Sequence, residues 1–264
     1  VSSAMSGETN KLVNLTKQIS KNFIPSEYDA ILACGEQISC SLIAGQLNDK
    51  GYLSRSWLAW QVPIFTIGKH SHSRIQKIGK KNILNFLKKN GVPIIAGFQG
   101  INSENRITTT GRGGSDASAI MLAKFFKAEK CVIYTDVEGI YSTDPKISPK
   151  AKKIKIISYE EMLEMASLGA KVMQPHSIQD ARLNRIEIEV KSTFKNKPGS
   201  IISKRKNVST KNIIRGVSFT KNDSKVTLIG VKDRPGVAAS IFEPLYKNSI
   251  NVDMVVQNIS PNQK

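Results

Sequence analysis

Residues 108–116, Thr108-Thr109-Thr110-Gly111-Arg112-Gly113-Gly114-Ser115-Asp116 (TTTGRGGSD), set three threonines, three glycines and one arginine directly ahead of an apolar helical pattern. That pattern carries Ala119, Ile120, Leu122, Ala123 and Phe126. Glycine lets the backbone turn through positive φ and lets a ligand approach it closely. Free N–H groups at a helix start favour an anion. Arg112 adds a planar fork that matches a carboxylate or a phosphate. The stretch therefore suits a small anionic molecule. It is not a P-loop, because no Gly-Lys-Ser/Thr follows the glycines. The same residues also suit an ordinary capped loop, with Ser115 as N-cap and Asp116 in the first helical turn.

On either side of this stretch, strand and helix patterns alternate. Upstream, Leu12, Leu15 and Ile19 give one apolar helical face after Thr9-Asn10, and a helix is predicted from Glu36 to about Leu47. Gln61 to Ile67 reads as a strand, and Ser73 to Asn90 as a helix closed by Gly91. Val92 to Phe98 is almost wholly apolar, as expected for a strand in a sheet covered on both faces. Downstream, Cys131 to Thr135 reads as a strand. Ser158 and Glu161 have capping-box spacing and open a short helix to Ser167. A second helix is predicted from about Ala170 to Arg185, then a strand over Ile186 to Val190. This order predicts an α/β domain of three layers, an αβα sandwich around a mainly parallel sheet. Lys195 to Asn212, rich in Lys, Ser and Asn and containing Pro198-Gly199, marks a domain boundary. Beyond it, Lys225 to Val231 and Ile250 to Gln257 read as strands. Between them, Asp233-Arg234-Pro235-Gly236 turns into a helix predicted from Val237 to Asn248.

The 264 residues, 40% hydrophobic, suffice for one medium domain and one smaller one. No apolar run approaches the roughly 18 residues of a membrane span, so no membrane is expected as a partner. Cys34, Cys40 and Cys131 lack C-x-x-C spacing and sit among apolar neighbours, which predicts buried thiols in a reducing, cytoplasmic setting. His70 and His72 have no third ligand nearby in sequence and read as loop residues, so no metal site is expected. A net charge of +18 raises nucleic acid as a partner. Against it stand an aromatic content of only 6%, lysines spread along most of the chain, and no helix-turn-helix, RNP or zinc-finger pattern. No nucleic acid is expected.

Four blocks stand in order along the chain: VSSAMSGETN (1–10), ACGEQIS (33–39), TTTGRGGSDASA (108–119) and YTDVEGIYSTDPK (134–146). Together they resemble the aspartate kinases of the amino-acid-kinase family. SLGAKVMQPHS (167–177), the DRPG turn and INVDMVVQN (250–258) extend the resemblance over nearly the whole chain. It implies transfer of the γ-phosphoryl group of ATP, with Mg²⁺, to the β-carboxylate of L-aspartate, at the start of lysine, threonine and methionine biosynthesis. The fold it implies is an amino-acid-kinase domain over residues 1–197, a linker over 198–212, and over 213–264 part of an ACT module, an α+β regulatory unit.

The resemblance also assigns roles. Arg112 would pair with the α-carboxylate of aspartate, helped by Gly113, Gly114 and Ser115. Glu36 would hold the α-ammonium, with Ser3 and Thr9 bounding the same pocket. Asp116 would organise the catalytic groups. Thr135 and Asp136 would contact the adenosine end of ATP, and Tyr141, Ser142, Thr143, Asp144, Pro145 and Lys146 would wrap the nucleotide. Lys171 would meet the phosphates. Asp233, Pro235, Gly236 and Val237 would bind an amino-acid effector, lysine or threonine, at an interface between two or more copies of the chain. Each has a plainer reading: a first-turn carboxylate for Glu36, a helix cap for Asp116, an Asp-Pro turn for 141–146, a solvated lysine for Lys171, and a strand-to-helix turn for DRPG.

The family's Lys-Phe-Gly-Gly-Thr-Ser segment is not among these residues, and the chain opens on Val1. The expectation is therefore a piece of an aspartate kinase, short at both ends and inactive by itself. Aspartyl phosphate formation by the 264-residue chain would contradict that.

Overall fold

The computed structural model describes residues 1–170, 172–204, 214–219, 224, 226–231, 234–248, 250, 252 and 255–256. The chain divides into two units, Val1–Thr220 and Lys221–Lys264.

The first unit opens with α1 (Glu8–Ile19), α2 (Pro25–Leu32) and α3 (Cys34–Asp49). Pro25 stands at the start of α2, where its missing N–H leaves nothing unpaired. Ala33 keeps helical angles, so α2 continues into α3 as one rod, Pro25–Asp49. By length and composition alone this rod is apolar enough to cross a membrane, which the reading of short apolar runs missed. Its Asp29, Glu36 and Ser39 are buried and bonded to protein groups, as in a core helix.

Next come β1 (Ser54–Trp57), β2 (Ile64–Ile67), β3 (Arg74–Ile78), α4 (Lys81–Leu87), β4 (Val92–Ile95), β5 (Gln99–Ile101) and β6 (Ile107–Thr109). β1 pairs in parallel with β4, and Ser2 forms a parallel bridge to Ala96 just beyond β4. A four-stranded sheet runs β3-β2-β5-β6, with β2–β5 parallel and the other two pairings antiparallel. Residues 73–90 are thus a strand followed by a short helix, not the single predicted helix. Pairing with β2 takes up the β3 backbone groups, and tertiary context overrides a weak local preference.

α5 (Gly114–Phe126) leads into β7 (Cys131–Thr135), the small antiparallel pair β8 (Ile140–Tyr141) and β9 (Lys153–Ile154), and β10 (Ile156–Ser158). Then follow α6 (Tyr159–Ser167), α7 (Pro175–Asn184), β11 (Ile188–Ser192) and β12 (Ser200–Ser203). The second four-stranded sheet runs β10-β12-β11-β7, parallel except for β11–β12. The capping box at α6 closes in both directions: Glu161 N–H donates to Ser158 Oγ, and Ser158 N–H donates to Glu161 Oε2. α7 begins at Pro175 rather than near Ala170, as a proline at the first helical position dictates. β12 falls inside the stretch expected to be a linker. Its Ser-Ile-Ile-Ser sequence hides a short strand whose Ile202 is fully buried, and a Cβ at Gly199 would collide with the Val190 carbonyl.

Two hydrophobic clusters result. One joins Trp57, Val62, Ile64, Ile78, Ile83 and Ile95 to Met121 and Leu122. The other joins Ile133, Ile157, Met162, Ile178, Ile188 and Val190 to Ile120 and Ala123. Adjacent residues of α5 enter different clusters, so the helix that follows TTTGRGGSD is the partition between the two.

In the second unit the described residues contain one helix, α8 (Val237–Lys247), opened by Gly236 at φ 91°. Residues 226–231, expected within a strand, are in no strand among the described residues. Val226, Leu228 and Ile229 are exposed there, and a strand needs a neighbour to take its backbone groups. Asp233 lies outside the described residues, as do Lys225, Asn251 and Gln257 of the two expected strands.

Candidate active site

The end of β4 organises the residues singled out upstream. Ser2 N–H donates to the Ile95 carbonyl at 2.9 Å, and Gly97 N–H donates back to the Ser2 carbonyl at 3.0 Å. Residues 2–4 are thereby laid along the 95–97 segment. Gly35 lets them sit on the start of α3, since a Cβ there would lie 2.8 Å from that of Ala4. Ala4 N–H then donates to Glu36 Oε1 at 3.1 Å. Ser39 Oγ reaches both Ser2 Oγ, at 2.8 Å, and the Ser3 carbonyl. Gln99 ties the other side, its Nε2 donating to the Ala33 carbonyl at 3.2 Å.

The start of α5 meets the same segment from across. A Cβ at Gly97 would lie 3.0 Å from Ser115, Phe98 N–H donates to Ser118 Oγ at 3.0 Å, and Thr110 N–H donates to the Phe98 carbonyl at 3.0 Å. Gly113, not Ser115, is the N-cap of α5. It holds φ +67°, and a Cβ there would lie 2.5 Å from Gln174 at the head of α7. Only glycine takes that turn and that contact together. Asp116 occupies the first turn of α5, as expected.

Two carboxylates at this mouth are perturbed. Glu36 is 4% exposed, and its Oε2 is buried without a hydrogen-bond partner. Burial pushes its carboxyl up to about 7, only partly offset by the N–H bonds it accepts. Burial also pushes Asp116 up to about 6. Arg112 is exposed, and no hydrogen-bond or ion-pair partner meets it among the described residues. Ser3 is exposed and Thr9 half-buried in the first turn of α1. A buried carboxylate oxygen without a donor is costly unless a cation or donor arrives.

The residues expected on the nucleotide side form a separate, more exposed group. Thr135 ends β7, an edge strand, and Thr135 Oγ1 donates to Asp136 Oδ1 at 3.1 Å. Tyr141 belongs to β8 and pairs with Lys153. Asp144 caps its own turn: its Oδ1 accepts from Lys146 N–H at 2.8 Å, and its carbonyl accepts from Ile147 and Ser148. Thr143 and Pro145 complete that loop. Lys171 lies outside the described residues.

Sequence reasoning missed three features here. Residues 214–219 cross this loop as a strap: Val217 N–H donates to the Ser142 carbonyl at 2.7 Å, and Arg215 Nε meets Glu161 Oε1 at 3.1 Å. Gln174 packs on Gly113. Asp29, buried in α2, accepts from the His70 loop and from Thr109. Asp29 shares α2 with Glu27, and nothing local in the sequence sets it apart. Of the three thiols expected to be buried, Cys40 and Cys131 are, while Cys34 is half-buried.

A glycine-rich helix start and a buried carboxylate thus meet the same 95–99 segment, and a strand-edge loop lies beyond β7, all carried on two mixed sheets. The amino acid kinase family model matches residues 1–192, and the chain belongs to that family. An ACT domain model matches residues 226–263. The chain is 43% identical over 261 residues to an aspartate kinase of Pseudomonas putida, covering 98% of this chain and 64% of that protein. It is 42% identical over 258 residues to an aspartokinase of Geobacillus stearothermophilus, covering 98% and 63%. The chain thus spans less than two-thirds of the length of these curated relatives. Among solved structures, aspartate kinase from Synechocystis superposes with a TM-score of 0.66 at 36% identity, over 94% of this chain and 42% of that one. E. coli aspartokinase III, solved with aspartate and ADP, shares the fold with a TM-score of 0.72 at 24% identity, over 94% and 57%.

Proposed function

We propose that this chain carries the aspartate-binding and nucleotide-binding region of an aspartate kinase. The observation that supports it most is that the Glu36 segment and the glycine-rich start of α5 meet the same 95–99 segment. Glu36 offers a buried carboxylate oxygen with no partner, and Arg112 an unpaired guanidinium at a glycine-rich helix start. An α-amino acid supplies the two matching charges, an ammonium for Glu36 and a carboxylate for Arg112. Gly113, Gly114 and Ser115 add backbone N–H groups to the carboxylate side, while Ser3 and Thr9 bound the pocket.

The reaction follows from this orientation. The side-chain carboxylate of L-aspartate is already a nucleophile at neutral pH and needs no strong base. One of its oxygens bonds to the γ-phosphorus of ATP, the bond from that phosphorus to the β–γ bridging oxygen breaks, and ADP leaves with 4-phospho-L-aspartate as product. Two anions must meet in line, so positioning and positive charge carry the catalysis. Asp116, in the first turn of α5, orders the groups around the transferring phosphoryl. Asp136, with Thr135, takes the adenosine end, and the 141–146 loop and Lys171 take the rest of the nucleotide. No cluster of three acidic, histidine or cysteine side chains stands ready for a metal among the described residues. Mg²⁺ would arrive on the nucleotide phosphates, the usual way this ion enters phosphoryl transfer.

In the same reading, Pro235, Gly236 and Val237, together with Asp233, bind an amino-acid effector, lysine or threonine, in an ACT unit shared between copies of the chain. E. coli aspartokinase III has been solved with lysine and aspartate, at 25% identity to this chain. The product would enter lysine, threonine and methionine biosynthesis.

Calorimetric titration of the chain with L-aspartate tests the reading without requiring turnover. One site per chain is expected, with affinity at least tenfold above that for N-acetyl-L-aspartate, whose ammonium is masked. Equal affinity for the two, or no binding of L-aspartate, would overturn it.

A further inference from the structure

Asp29 makes more bonds than any other side chain near the mouth. It is fully buried in α2. Its Oδ1 accepts from Ser71 Oγ at 2.9 Å and from Thr109 Oγ1 at 2.8 Å. Its Oδ2 accepts from the N–H groups of Ser71 and Thr109, both at 2.9 Å, and from His70 Nδ1 at 2.9 Å. Five polar groups from two distant segments thus converge on this one carboxylate. Ser73 closes the ring from outside, its N–H and Oγ both donating to the Thr109 carbonyl, at 3.0 and 2.8 Å. Thr109 therefore has its N–H, carbonyl and hydroxyl all fixed, three residues before Arg112.

The chain beyond Thr109 stays on the same support. A Cβ at Gly111 would lie 3.1 Å from the Ser71 carbonyl and 3.4 Å from His72 Nδ1. The route of residues 110–113 is thus laid over the 70–73 loop, which Asp29 holds. Asp29 also stands on the rod that carries Glu36. Seven residues separate the two, close to two helical turns, so they project from one side of the continuous helix. One helical run, Pro25–Asp49, therefore bears Glu36 directly and anchors the loop ahead of Arg112 through Asp29.

We propose that Asp29 is a positioning residue for amino-acid binding: it fixes the Arg112 loop at a set distance from Glu36, so that one ligand can meet both. This rests on the aspartate-binding reading given above. A hydrogen-bonded buried carboxylate suits the task because its acceptor sites are filled from two segments at once. Replacing it by an amide turns one oxygen into a donor facing donors, which releases one segment without changing the volume.

The test is a double-mutant cycle on the chain, with L-aspartate as the probe and calorimetry or ligand-observed NMR as the readout. Asp29→Asn is expected to weaken L-aspartate at least tenfold in the wild-type background and less than twofold in the Arg112→Ala background. Ser71→Ala removes one donor only and keeps the test alive if Asp29→Asn does not fold. It should cost about threefold in the first background and nothing measurable in the second. Equal losses in both backgrounds would make Asp29 a plain structural residue, and no loss in a folded Asp29→Asn chain would do the same; either overturns the inference alone. Absence of L-aspartate binding by the wild-type chain would overturn the functional reading and this inference together.

Discussion

The mouth at Glu36 and the loop at Asp144 are both built from carboxylates and turns, yet they spend their charges differently. Around Glu36 and Asp116 the protein withdraws carboxylates from water and raises both toward neutral pH. Around Asp136 and Asp144 the carboxylates stay exposed and bond to their own turns. Burying an unpaired carboxylate lowers stability unless a ligand brings the missing charge. The first region therefore carries an unmet electrostatic cost in its folded form. The second owes its shape to a self-capped turn and to the strap at Val217.

The largest expected effect breaks the comparison at its strongest point. Arg112→Ala should weaken L-aspartate on the order of 100-fold while leaving ATP within about twofold, because a charge-assisted, bidentate contact is lost on one side only. Isothermal titration with each ligand separates the two. Equal losses would merge the regions into one site.

Glu36→Gln sharpens the comparison through pH. Below about pH 7 the Glu36 carboxyl is protonated and offers the ammonium no charge, so wild-type affinity for L-aspartate should rise about tenfold from pH 6 to pH 8. The Gln variant should bind weakly and lose that rise. Stability runs the other way. The folded chain holds the Glu36 proton at pH values where the unfolded chain, near 4.5, has lost it, so stability falls from about pH 4.5 through pH 7 and stays lower above. Thermal unfolding at pH 8 should therefore find the Gln variant more stable than the wild type, by roughly 3 kcal/mol at most. A Gln variant less stable than wild type at pH 8 would mean that Glu36 is a structural carboxylate. The smallest effect belongs to the exposed side: Asp136→Ala should weaken ATP about fivefold and leave L-aspartate unchanged, since a solvated contact is worth about 1 kcal/mol. A larger loss for L-aspartate than for ATP would reverse the assignment of the two regions.

Much of this was legible in the sequence because the signals were local. Ser158 and Glu161 announce the α6 cap by their spacing, and Gly111, Gly113 and Gly114 announce a tight approach to a helix start. What stayed hidden depends on partners distant in sequence. Arg74–Ile78 has a helical pattern by itself and becomes a strand only beside β2. Ser-Ile-Ile-Ser looks like linker by itself and acquires meaning only between β10 and β11. Asp29 carries no motif; its importance comes from donors at positions 70, 71 and 109, some forty and eighty residues away. At the mouth, Arg112 stands out by its glycine-rich setting and Glu36 only through the family resemblance, while Asp29 shows in neither.

α5 has apolar side chains in both hydrophobic clusters, with Met121 and Leu122 committed to one and Ile120 and Ala123 to the other. Loss of either cluster therefore strips packing from the helix that carries the mouth, so the two halves of Val1–Thr220 are coupled through α5.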